Sequence, residues 1–313
     1  MTARPIIASS LPETFNLALE DHAARPAVVR LPGAPWEIPP EADILVTFQS
    51  HWKTAPKEKP AGWPGGLKWM QVASAGVDTL PAWAYEVPVV SRAPQIQGPI
   101  IAEYVVGAVF AHEKRFWDGP VRSRQAWELQ PLGGVAGKML GIAGMGSIGS
   151  EVAKIALGVG LRVTALTRSS DIGMAGVERA SDLHALFAAC DHVVLTMPLT
   201  AETRNIIGAD CLRASKPGLH LINVARGGLI DQEALITALD AGTLSAATLD
   251  VTEPEPLPEG HPLYTHPRVR LTPHASGSSE DTDARTSRLL CCNLDLFLAG
   301  RPLPYTISRG RGY

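Results

Sequence analysis

The first hundred residues alternate short apolar runs with connections that are rich in proline and glycine. Connections such as PGAPWEIPP and KTAPKEKPAGWPGG contain the residues that interrupt regular structure. Strands separated by helix-sized gaps predict a parallel sheet that is covered on both faces. The apolar runs predict strands at Pro5–Ala8, Ala27–Leu31, Asp43–Phe48, Leu67–Val72 and Val87–Ser91.

A helical pattern follows from Ile100 to about Trp117, with apolar residues on most of its faces. Such a helix is typical of a buried position between two domains.

A second series of strands alternates with helical patterns, and a long helix is predicted over Ser279–Leu298. The pattern therefore predicts two α/β units joined by buried helices. The second series comprises a strand from Met139, then Arg162–Thr167, His192–Met197, His220–Val224, Ala246–Asp250 and Val269–Leu271.

Length and composition narrow the class of protein. A chain of 313 residues with 45% hydrophobic and 19% charged residues predicts two domains of a soluble globular protein. A net charge of −3 gives no reason to expect nucleic acid or a membrane as partner. The N-terminus lacks the apolar stretch of a signal peptide, so we expect a cytoplasmic protein. The four cysteines lack metal-ligand spacing, and the adjacent Cys291 and Cys292 are expected to pack in a core.

Polar groups follow three of the C-terminal apolar runs. They are Arg226 after HLINV, Glu255 after LSAATLDV, and His274 after RVRL. Ligands of open α/β sheets bind outside the carboxyl ends of the strands, where these groups would lie. A guanidinium, a carboxylate and an imidazole there suit acid–base chemistry on an anionic substrate. The alternative for each residue alone is structural: a surface ion pair of Arg226 with Glu255, and a packed loop histidine.

A glycine-rich turn precedes these groups. Gly144-Met-Gly146-Ser147-Ile148-Gly149 stands between an apolar strand and a helix expected from Ser147 to about Val159. The first glycine permits a tight turn, the second lets a pyrophosphate approach the backbone, and the third allows close packing of helix on strand. The helix N-terminus would present free N–H groups to the phosphates. The context therefore predicts a dinucleotide site.

The end of the next strand bears on the choice of dinucleotide. NAD-binding units usually place an acid there for the adenosine ribose, but this chain has Thr167, Arg168, Ser169 and Ser170. Arg168 could pair with a 2′-phosphate and the serines could donate hydrogen bonds to it. We expect NADP(H) to be preferred, with NAD(H) possible. The alternative is that Arg168 is a solvated turn residue and both cofactors serve equally.

Several further motifs accompany the glycine turn along nearly the whole chain. They are Ser74–Asp78, Thr196-Met-Pro198-Leu-Thr200-x-x-Thr203, Asn223-Val-Ala-Arg226-Gly-Gly-Leu-Ile-Asp231, Leu249-Asp250-Val with Glu255-Pro and His261-Pro-Leu, and Thr272-Pro-His274. With these motifs the chain resembles the D-isomer-specific 2-hydroxyacid dehydrogenases. Within that family, the Thr167-Arg168 pair resembles the NADPH-dependent glyoxylate/hydroxypyruvate reductases.

The resemblance implies two doubly wound parallel-sheet domains of the α/β class. A flavodoxin-like substrate domain would comprise residues 1–98 and 284–313. A Rossmann cofactor domain, residues 99–283, would be inserted between these segments, with the active site in the cleft. A homodimer is also expected, both from the resemblance and from the apolar helix of residues 100–116.

The resemblance also implies roles for the three polar residues at the strand ends. Arg226 would bind the substrate carboxylate and polarise the carbonyl group. His274 would protonate the forming alkoxide during reduction and recover the proton during oxidation. Glu255 would hydrogen-bond the other imidazole nitrogen, orienting the ring and favouring the imidazolium form.

Further residues acquire expected roles in the same way. The backbone N–H groups of Ala75 and Gly76 would hold the substrate carboxylate, and Asp250 would orient the nicotinamide carboxamide. Phe48 and Gln49 are candidates for the substrate pocket, whereas a buried, hydrogen-bonded role is expected for Glu103. The resemblance places the remaining cofactor contacts at Ser147, Ile148, Pro198, Thr203, Ala225, His274 and Gly277.

Two further functions remain open at this stage. One is an NAD-dependent dehydrogenase that oxidises a bulkier 2-hydroxy acid. The other is a nucleotide-sensing interaction protein, because some relatives of the family act as transcriptional corepressors. The leading hypothesis is an NADP(H)-dependent reductase of a small 2-oxo acid that yields the D-2-hydroxy acid.

Overall fold

A computed structural model describes residues 4–169 and 172–307 of the chain. Ser170, a candidate ligand of the 2′-phosphate, lies outside the described residues. The described residues divide into two compact units, one lying within Met1–Gln97 and Ser279–Tyr313 and the other within Gly98–Ser278. The chain therefore returns to the first unit at Ser279 rather than at residue 284. The assignment of substrate and cofactor to these units remains a prediction.

The first unit is built on a five-stranded parallel sheet with the strand order β2-β1-β3-β4-β5. This order is that of the flavodoxin-like folds. The strands are β1 (Ile6–Ser9), β2 (Ala27–Arg30), β3 (Ile44–Thr47), β4 (Trp69–Val72) and β5 (Val89–Ser91), and the helices packed with them include α1 (Glu13–Glu20) and the last helix of the chain, α7 (Thr282–Leu298).

Successive residues of these strands face opposite sides of the sheet, and each side has its own core. Ile44 and Trp69 pack with Leu290 of α7, whereas Leu45 and Met70 pack in the second core. That second core contains a group of indole rings whose centroids lie 5.3–5.7 Å apart. Four tryptophans of this unit are buried: Trp52, Trp63, Trp69 and Trp83.

The second unit is built on a seven-stranded parallel sheet with the order β12-β11-β10-β9-β6-β7-β8. The strand order reverses between β6 and β9, as in the Rossmann fold, so the predicted fold class is confirmed. The strands are β6 (Met139–Ala143), β7 (Arg162–Leu166), β8 (Val177–Arg179), β9 (His192–Leu195), β10 (Leu219–Asn223), β11 (Leu244–Leu249) and β12 (Val269–Leu271). The helices are α2 (Pro94–Glu113), α3 (Ser147–Gly158), α4 (Leu183–Ala189), α5 (Ala209–Arg213) and α6 (Gln232–Asp240).

Every strand predicted from an apolar run is present, but several elements differ from the prediction. Helix α2 begins at Pro94 rather than Ile100 and ends at Glu113. Pro94 suits the first helical turn, where its missing N–H would be unpaired anyway, whereas Pro99 lies inside the helix, so the two prolines concealed the start of this helix. Three elements were not predicted because they are short or lack a continuous apolar run: α1, α5 and the edge strand β8.

Two burial predictions are wrong. Glu103 is exposed, because α2 directs Ala102, Val105 and Val109 into the core and position 103 falls on another face. Cys292 is also exposed, since α7 buries Leu290 and Leu294 instead. Within residues 4–169 and 172–307, no helix is long and apolar enough to cross a membrane.

Three histidines meet at the amino-terminal edge of the second sheet. His192 and His220 are register partners at the starts of β9 and β10, with 3.2 Å between their Nδ1 atoms. The ring of His112 stacks on that of His220 with centroids 4.4 Å apart. Glu113 Oε1 lies 2.6 Å from Lys138 Nζ and 3.2 Å from His192 Nε2, a contact poorly oriented for a hydrogen bond. His192 and His220 are therefore core residues, and His112 is partly buried beside them.

This environment changes the ionisation of the cluster. Burial lowers the pKa of His112, and the neighbouring His192 lowers it further. Burial also holds the pKa of His220 well below its ordinary value, helped by both neighbouring histidines. For Glu113, burial alone would raise the pKa, but the contacts with His192 and Lys138 outweigh it and lower the pKa to about 2.

We expect the protein to lose stability as the pH falls below about 6.5. Below that pH the unfolded chain binds protons at positions 112 and 220 that the folded chain excludes, and between about 4.5 and 2 the same applies to Glu113. A single buried neutral histidine changes the free energy of unfolding by about 1.4 kcal/mol per pH unit. Urea unfolding followed by circular dichroism at pH 7 and pH 5 measures the effect.

His220→Gln should reduce this pH dependence, because the variant keeps a polar side chain but has no group that titrates. His184→Gln is the matched control, since His184 is exposed and should leave the dependence unchanged. An undiminished pH dependence in His220→Gln would contradict the explanation.

Candidate active site

Six strands of the second sheet end at the same level. The last residue of each of these strands is the register partner of the last residue of its neighbour, and together the six residues form one row across the sheet. Because all strands are parallel, the loops that follow the row emerge at the same edge. This edge carries the predicted site residues Gly144, Thr167, Arg226, Asp250 and His274, each one to three residues beyond the row. The row consists of Leu166, Ala143, Leu195, Asn223, Leu249 and Leu271.

The glycine turn after β6 has the geometry of a dinucleotide-binding turn. Gly144 has φ +115°, and a Cβ there would lie 2.9 Å from the backbone nitrogen of Met197. A Cβ at Gly149 would lie only 2.0 Å from the carbonyl oxygen of Gly144. Both positions therefore require glycine for packing within the protein. A Cβ at Gly146 would meet no described atom within 4 Å, so this glycine borders open space.

Helix α3 begins directly after this open space, with Gly146 as its N-cap and no hydrogen bond from a described side chain to its first turn. The N-terminal N–H groups of α3 are thus available to an anion, which the helix dipole also favours. These residues fit the pyrophosphate of a dinucleotide, and they would hold it through backbone N–H groups of the turn and of Ser147 and Ile148.

The end of β7 presents hydroxyl and guanidinium groups. Thr167 follows β7 directly, and its Oγ1 accepts a hydrogen bond of 3.3 Å from the backbone N–H of Ser169. Arg168 and Ser169 are exposed. The segment therefore places a cation and a hydroxyl group, rather than a carboxylate, at the position where the ribose of a dinucleotide is expected.

The loop that carries Arg226 is fastened by Asn223, a fully buried residue at the end of β10. Asn223 Nδ2 donates to the carbonyl oxygen of Arg226 at 2.8 Å, and Asn223 Oδ1 accepts from the N–H of Ala225 at 3.1 Å. Gly227 then passes so close to Thr252 that a Cβ there would lie 2.0 Å from the carbonyl carbon of Thr252. The loops after β10 and β11 are therefore in direct backbone contact.

His274 and Glu255 form the pair predicted from the sequence. His274 Nδ1 lies 2.7 Å from Glu255 Oε1, and both side chains are partly exposed. His274 adopts the left-handed conformation with φ +53°, which is uncommon for a residue other than glycine. Its backbone N–H donates to the carbonyl oxygen of Asp250 at 2.9 Å. The structure thus brings the carboxylate to the imidazole and holds the imidazole on a strained turn.

The carboxylate of Asp250 makes hydrogen bonds that were not predicted from the sequence. Its carboxylate is buried and accepts three hydrogen bonds, at 2.6 Å from Thr272 Oγ1, 2.8 Å from Ala275 N and 3.0 Å from Ser276 N. A carboxylate offers about four acceptor positions, so one remains for a further donor such as a carboxamide. The expected role of Asp250 toward nicotinamide is therefore compatible with its structural one.

The loop after β9 is held together by Thr203, another expected cofactor residue. Thr203 Oγ1 donates to the carbonyl oxygen of Pro198 at 2.8 Å and accepts from the N–H of Thr200 at 2.7 Å. This ties Pro198 close to the glycine turn, since Thr196 Oγ1 donates to the carbonyl oxygen of Gly144 at 2.6 Å. Gly277, the last expected cofactor residue, is partly buried beyond Ser276.

The first unit holds the expected carboxylate-binding turn at Ala75 and Gly76, both partly buried. Arg92 Nη1 donates to the carbonyl oxygen of Ala75 at 2.9 Å. In a trans peptide the C=O and N–H groups point in opposite directions, so Arg92 also orients the N–H of Gly76. Nearby, the amide oxygen of Gln49 is buried and accepts no hydrogen bond from any described residue.

Gln232 is a second residue that sequence reasoning missed. Its side-chain amide donates to the carbonyl oxygen of Glu253 at 2.5 Å, and its Oε1 accepts from the Glu253 N–H at 3.2 Å. An ion pair between Arg204 and Glu253 at 2.7 Å holds the same loop. No periodicity or spacing signals such contacts, because they join residues of different loops.

We expect Gly146→Ala to weaken dinucleotide binding by about tenfold or more without changing the stability of the apoprotein. The backbone conformation of Gly146, φ −80° and ψ −162°, is accessible to alanine, and its Cβ would meet open space where the pyrophosphate is expected. Dinucleotide titration monitored by fluorescence, together with the thermal midpoint, checks both parts.

Gly149→Ala is the matched comparison, because its Cβ would collide with the backbone of Gly144 and should lower the thermal midpoint. Unchanged dinucleotide affinity in Gly146→Ala would show that the pyrophosphate lies elsewhere.

Comparison with known proteins agrees with this geometry. Residues 106–276 match the family described as D-isomer specific 2-hydroxyacid dehydrogenase, NAD binding domain. The glyoxylate reductase of Aeropyrum pernix is 35% identical over 233 residues, covering 70% of this chain and 69% of that protein. The hydroxypyruvate reductase of Thermotoga maritima is 34% identical over 256 residues, covering 80% and 82% respectively.

A solved structure extends the similarity over the whole chain. The D-isomer specific 2-hydroxyacid dehydrogenase of Xanthobacter autotrophicus Py2, in complex with NADPH and MES, superposes with a TM-score of 0.83. It is 26% identical and covers 99% of this chain and 100% of its own. With the matched family segment and the relatives above 30% identity, the chain belongs to the D-isomer-specific 2-hydroxyacid dehydrogenase family and is an oxidoreductase of that class.

Proposed function

We propose that the protein catalyses the NADP(H)-dependent reduction of a small 2-oxo acid of the glyoxylate or hydroxypyruvate type to the D-2-hydroxy acid. The observation that carries the proposal is the pairing of His274 with Glu255 at the same sheet edge that presents Arg226. The reductases of Aeropyrum pernix and Thermotoga maritima, named for glyoxylate and hydroxypyruvate, support this substrate class.

Arg226 supplies the positive charge for the anionic substrate. Its guanidinium group can bind the substrate carboxylate in a bidentate manner and polarise the adjacent carbonyl group. Asn223 donates a hydrogen bond to the carbonyl oxygen of Arg226, and Gly227 packs directly against the backbone of Thr252, so the loop is held at both residues. Because the loop is held rigidly, little reorganisation is needed as negative charge develops on the carbonyl oxygen.

His274 moves the proton. Glu255 occupies Nδ1, so Nε2 is the nitrogen that exchanges a proton with substrate. During reduction the imidazolium gives its proton to the oxygen of the former carbonyl group and becomes neutral, and during oxidation it takes that proton back. The carboxylate of Glu255 orients the ring through its contact with Nδ1. The hydride for the carbonyl carbon would come from a reduced nicotinamide when one is bound.

Further residues of each unit keep their expected roles as part of the proposal. In the second unit, Asp250 would accept a hydrogen bond from the nicotinamide carboxamide through its remaining acceptor position. In the first unit, the N–H groups of Ala75 and Gly76 would bind the substrate carboxylate, supported by the bond from Arg92 to Ala75. The amide oxygen of Gln49 is buried and has no hydrogen-bond partner among residues 4–169 and 172–307, which supports a role in the substrate pocket, with Phe48 beside it.

The preference for NADP(H) rests on the end of β7. Thr167, Arg168 and Ser169 place hydroxyl and guanidinium groups where an acid would repel a 2′-phosphate. The binding of NADPH to the Xanthobacter protein is consistent with this preference.

We further propose that the protein is a homodimer. The apolar helix that first suggested it packs its Val105 and Val109 into its own unit, so that helix no longer supports the proposal. A better argument is the exposed segment of residues 116–132, which we call the apolar arm. Exposed apolar surface of this extent is typical of interfaces. Six of its large apolar side chains are 50–99% exposed: Phe116, Trp117, Val121, Trp127, Leu129 and Leu132.

The substrate and cofactor are tested together by the steady-state rates of NADPH and NADH oxidation with glyoxylate, hydroxypyruvate, pyruvate and phenylpyruvate. We expect the two small acids to give the highest kcat/KM, and NADPH to exceed NADH by about tenfold or more, since one charge-assisted contact is worth ~1.5–3 kcal/mol. Comparable values with both cofactors would contradict the preference. The highest value with phenylpyruvate and NADH would favour a dehydrogenase of bulkier acids.

His274→Ala should lower kcat by about 10²–10⁴-fold while largely preserving dinucleotide affinity, because general acid–base catalysis contributes rate rather than cofactor binding. Arg226→Ala should raise KM and lower kcat, because the same group binds the substrate and the transition state. His266→Ala is the matched control, since His266 lies 3.2 Å from Asp240 in a second histidine–carboxylate contact. Near-normal kcat in His274→Ala would refute the assigned role.

Replacement of Trp127 and Leu129 by serine should convert the dimer to a monomer, because it removes the two most exposed apolar side chains of the arm. Light scattering after gel filtration measures the mass. Leu17→Ser changes an isolated leucine that is 52% exposed and should leave the mass of the dimer unchanged. A wild-type protein with the mass of a monomer would refute the proposal.

A further inference from the structure

We propose that Tyr104 and Thr272 are positioning residues, which act through Asp250 to hold the turn that carries His274. The inference rests on the proposed function, because the turn matters only if His274 transfers the proton. Tyr104 lies on α2 and Thr272 directly follows β12. The sequence analysis assigned no role in the site to either residue.

The buried carboxylate of Asp250 is the centre of this arrangement, since its side chain and backbone are only 1% exposed. Its Oδ1 accepts from Thr272 Oγ1 and Ala275 N, and its Oδ2 accepts from Ser276 N. All three donors belong to residues 272–276, the segment that contains His274. The Asp250 carbonyl oxygen also accepts from the backbone N–H of His274 at 2.9 Å. One residue therefore fastens the segment on both sides of the imidazole.

The number of available protons determines which hydroxyl group donates and which accepts. An ionised carboxylate only accepts hydrogen bonds, so the single hydroxyl proton of Thr272 is directed to Asp250. Thr272 Oγ1 must therefore be the acceptor in its 2.7 Å contact with the Tyr104 hydroxyl, and Tyr104 is the donor. The result is a one-directional relay from Tyr104 through Thr272 to Asp250. Donation by Tyr104 polarises the Thr272 hydroxyl and strengthens its bond to the carboxylate.

The turn needs this support because its backbone conformation is unfavourable. His274 has φ +53°, and such residues keep the left-handed conformation only when the surrounding structure enforces it. The imidazole must also stay within reach of Glu255, 2.7 Å from Nδ1. Loss of the Thr272 hydroxyl would leave the carboxylate with two of its three bonds and loosen the turn. The proton-transfer geometry would then be less well populated.

A purely structural role for the two residues is the competing explanation, since Tyr104 also packs against a core cluster. Such a role would change the thermal midpoint and would leave turnover of the folded enzyme unchanged. The two explanations are separated by isosteric variants that delete one hydroxyl group each. Thr272→Val and Tyr104→Phe do so, and Thr272→Ser restores the hydroxyl at position 272.

The experiment measures kcat, substrate KM, NADPH affinity and the thermal midpoint of each variant, with glyoxylate and NADPH. We expect kcat to fall about 10- to 100-fold in Thr272→Val, in line with small displacements of catalytic groups, and about 3- to 10-fold in Tyr104→Phe. Thr272→Ser should recover most of the lost turnover. NADPH affinity should change by less than about threefold, because the phosphate-binding turn is elsewhere.

The double variant gives the sharpest test, because Tyr104 acts only through Thr272. Tyr104→Phe should therefore have no further effect on kcat in the Thr272→Val background. Multiplicative losses in the double variant would overturn the relay. Thr286→Val is the matched control, since it deletes a buried hydroxyl that donates to the carbonyl oxygen of Thr282 in α7. It should change the thermal midpoint at most.

His274→Ala measured in parallel keeps the two proposals distinguishable. An inactive His274→Ala together with a fully active Thr272→Val would overturn the positioning role alone. Equal losses of kcat in Thr272→Val and Thr286→Val would also overturn it. Wild-type turnover in His274→Ala would overturn the proposed function, and the positioning role with it.

Discussion

The register of the second parallel sheet is the constraint on which the site depends. One row of paired residues, from Leu166 to Leu271, sets the point at which six strands end. Each chemically distinctive group follows within a few residues of that row, so the groups share one edge even though they are far apart in the sequence. A shift of one strand by a single residue would turn its side chains to the opposite face and displace the loop beyond it.

Close backbone contacts determine how the loops at this edge pack against one another. Gly149 lets α3 approach the turn after β6, and Gly227 lets the Arg226 loop touch Thr252. In both cases the Cβ of any other residue would lie about 2.0 Å from backbone atoms. The glycines therefore define how the loops meet, while buried polar groups such as Asp250 define how each loop is folded. Rigid support of this kind is what a site for hydride and proton transfer requires.

Histidines at the two edges of the sheet differ in exposure and in their partners. At the carboxyl edge, His274 and Glu255 are partly exposed and paired with each other. At the amino edge, His220 is buried among other histidines, and its pKa lies well below the ordinary value. The same residue type is therefore exposed beside a carboxylate at one edge and kept neutral in a core at the other. Exposure and partners, rather than residue identity, decide the difference.

The local pattern of residues was sufficient to predict most of the architecture. Apolar runs with turn residues between them predicted every strand except the exposed edge strand β8, and the spacing of the glycine turn predicted its place between β6 and α3. The resemblance also anticipated that His274 would meet Glu255. The strands and the glycine turn depend on short-range periodicity or on a motif within one segment, which a sequence displays directly.

Other features were decided only by tertiary structure. Burial of Glu103 was predicted incorrectly, because the orientation of α2 depends on which of its faces packs on the sheet. The bonds from Tyr104 to Thr272 and from Thr272 to Asp250 join three segments separated by many residues, and no local pattern reports them. The amino-acid order therefore specifies the elements and the reactive groups. Only folding brings distant polar atoms within hydrogen-bonding distance and determines which of them hold the site and which can react.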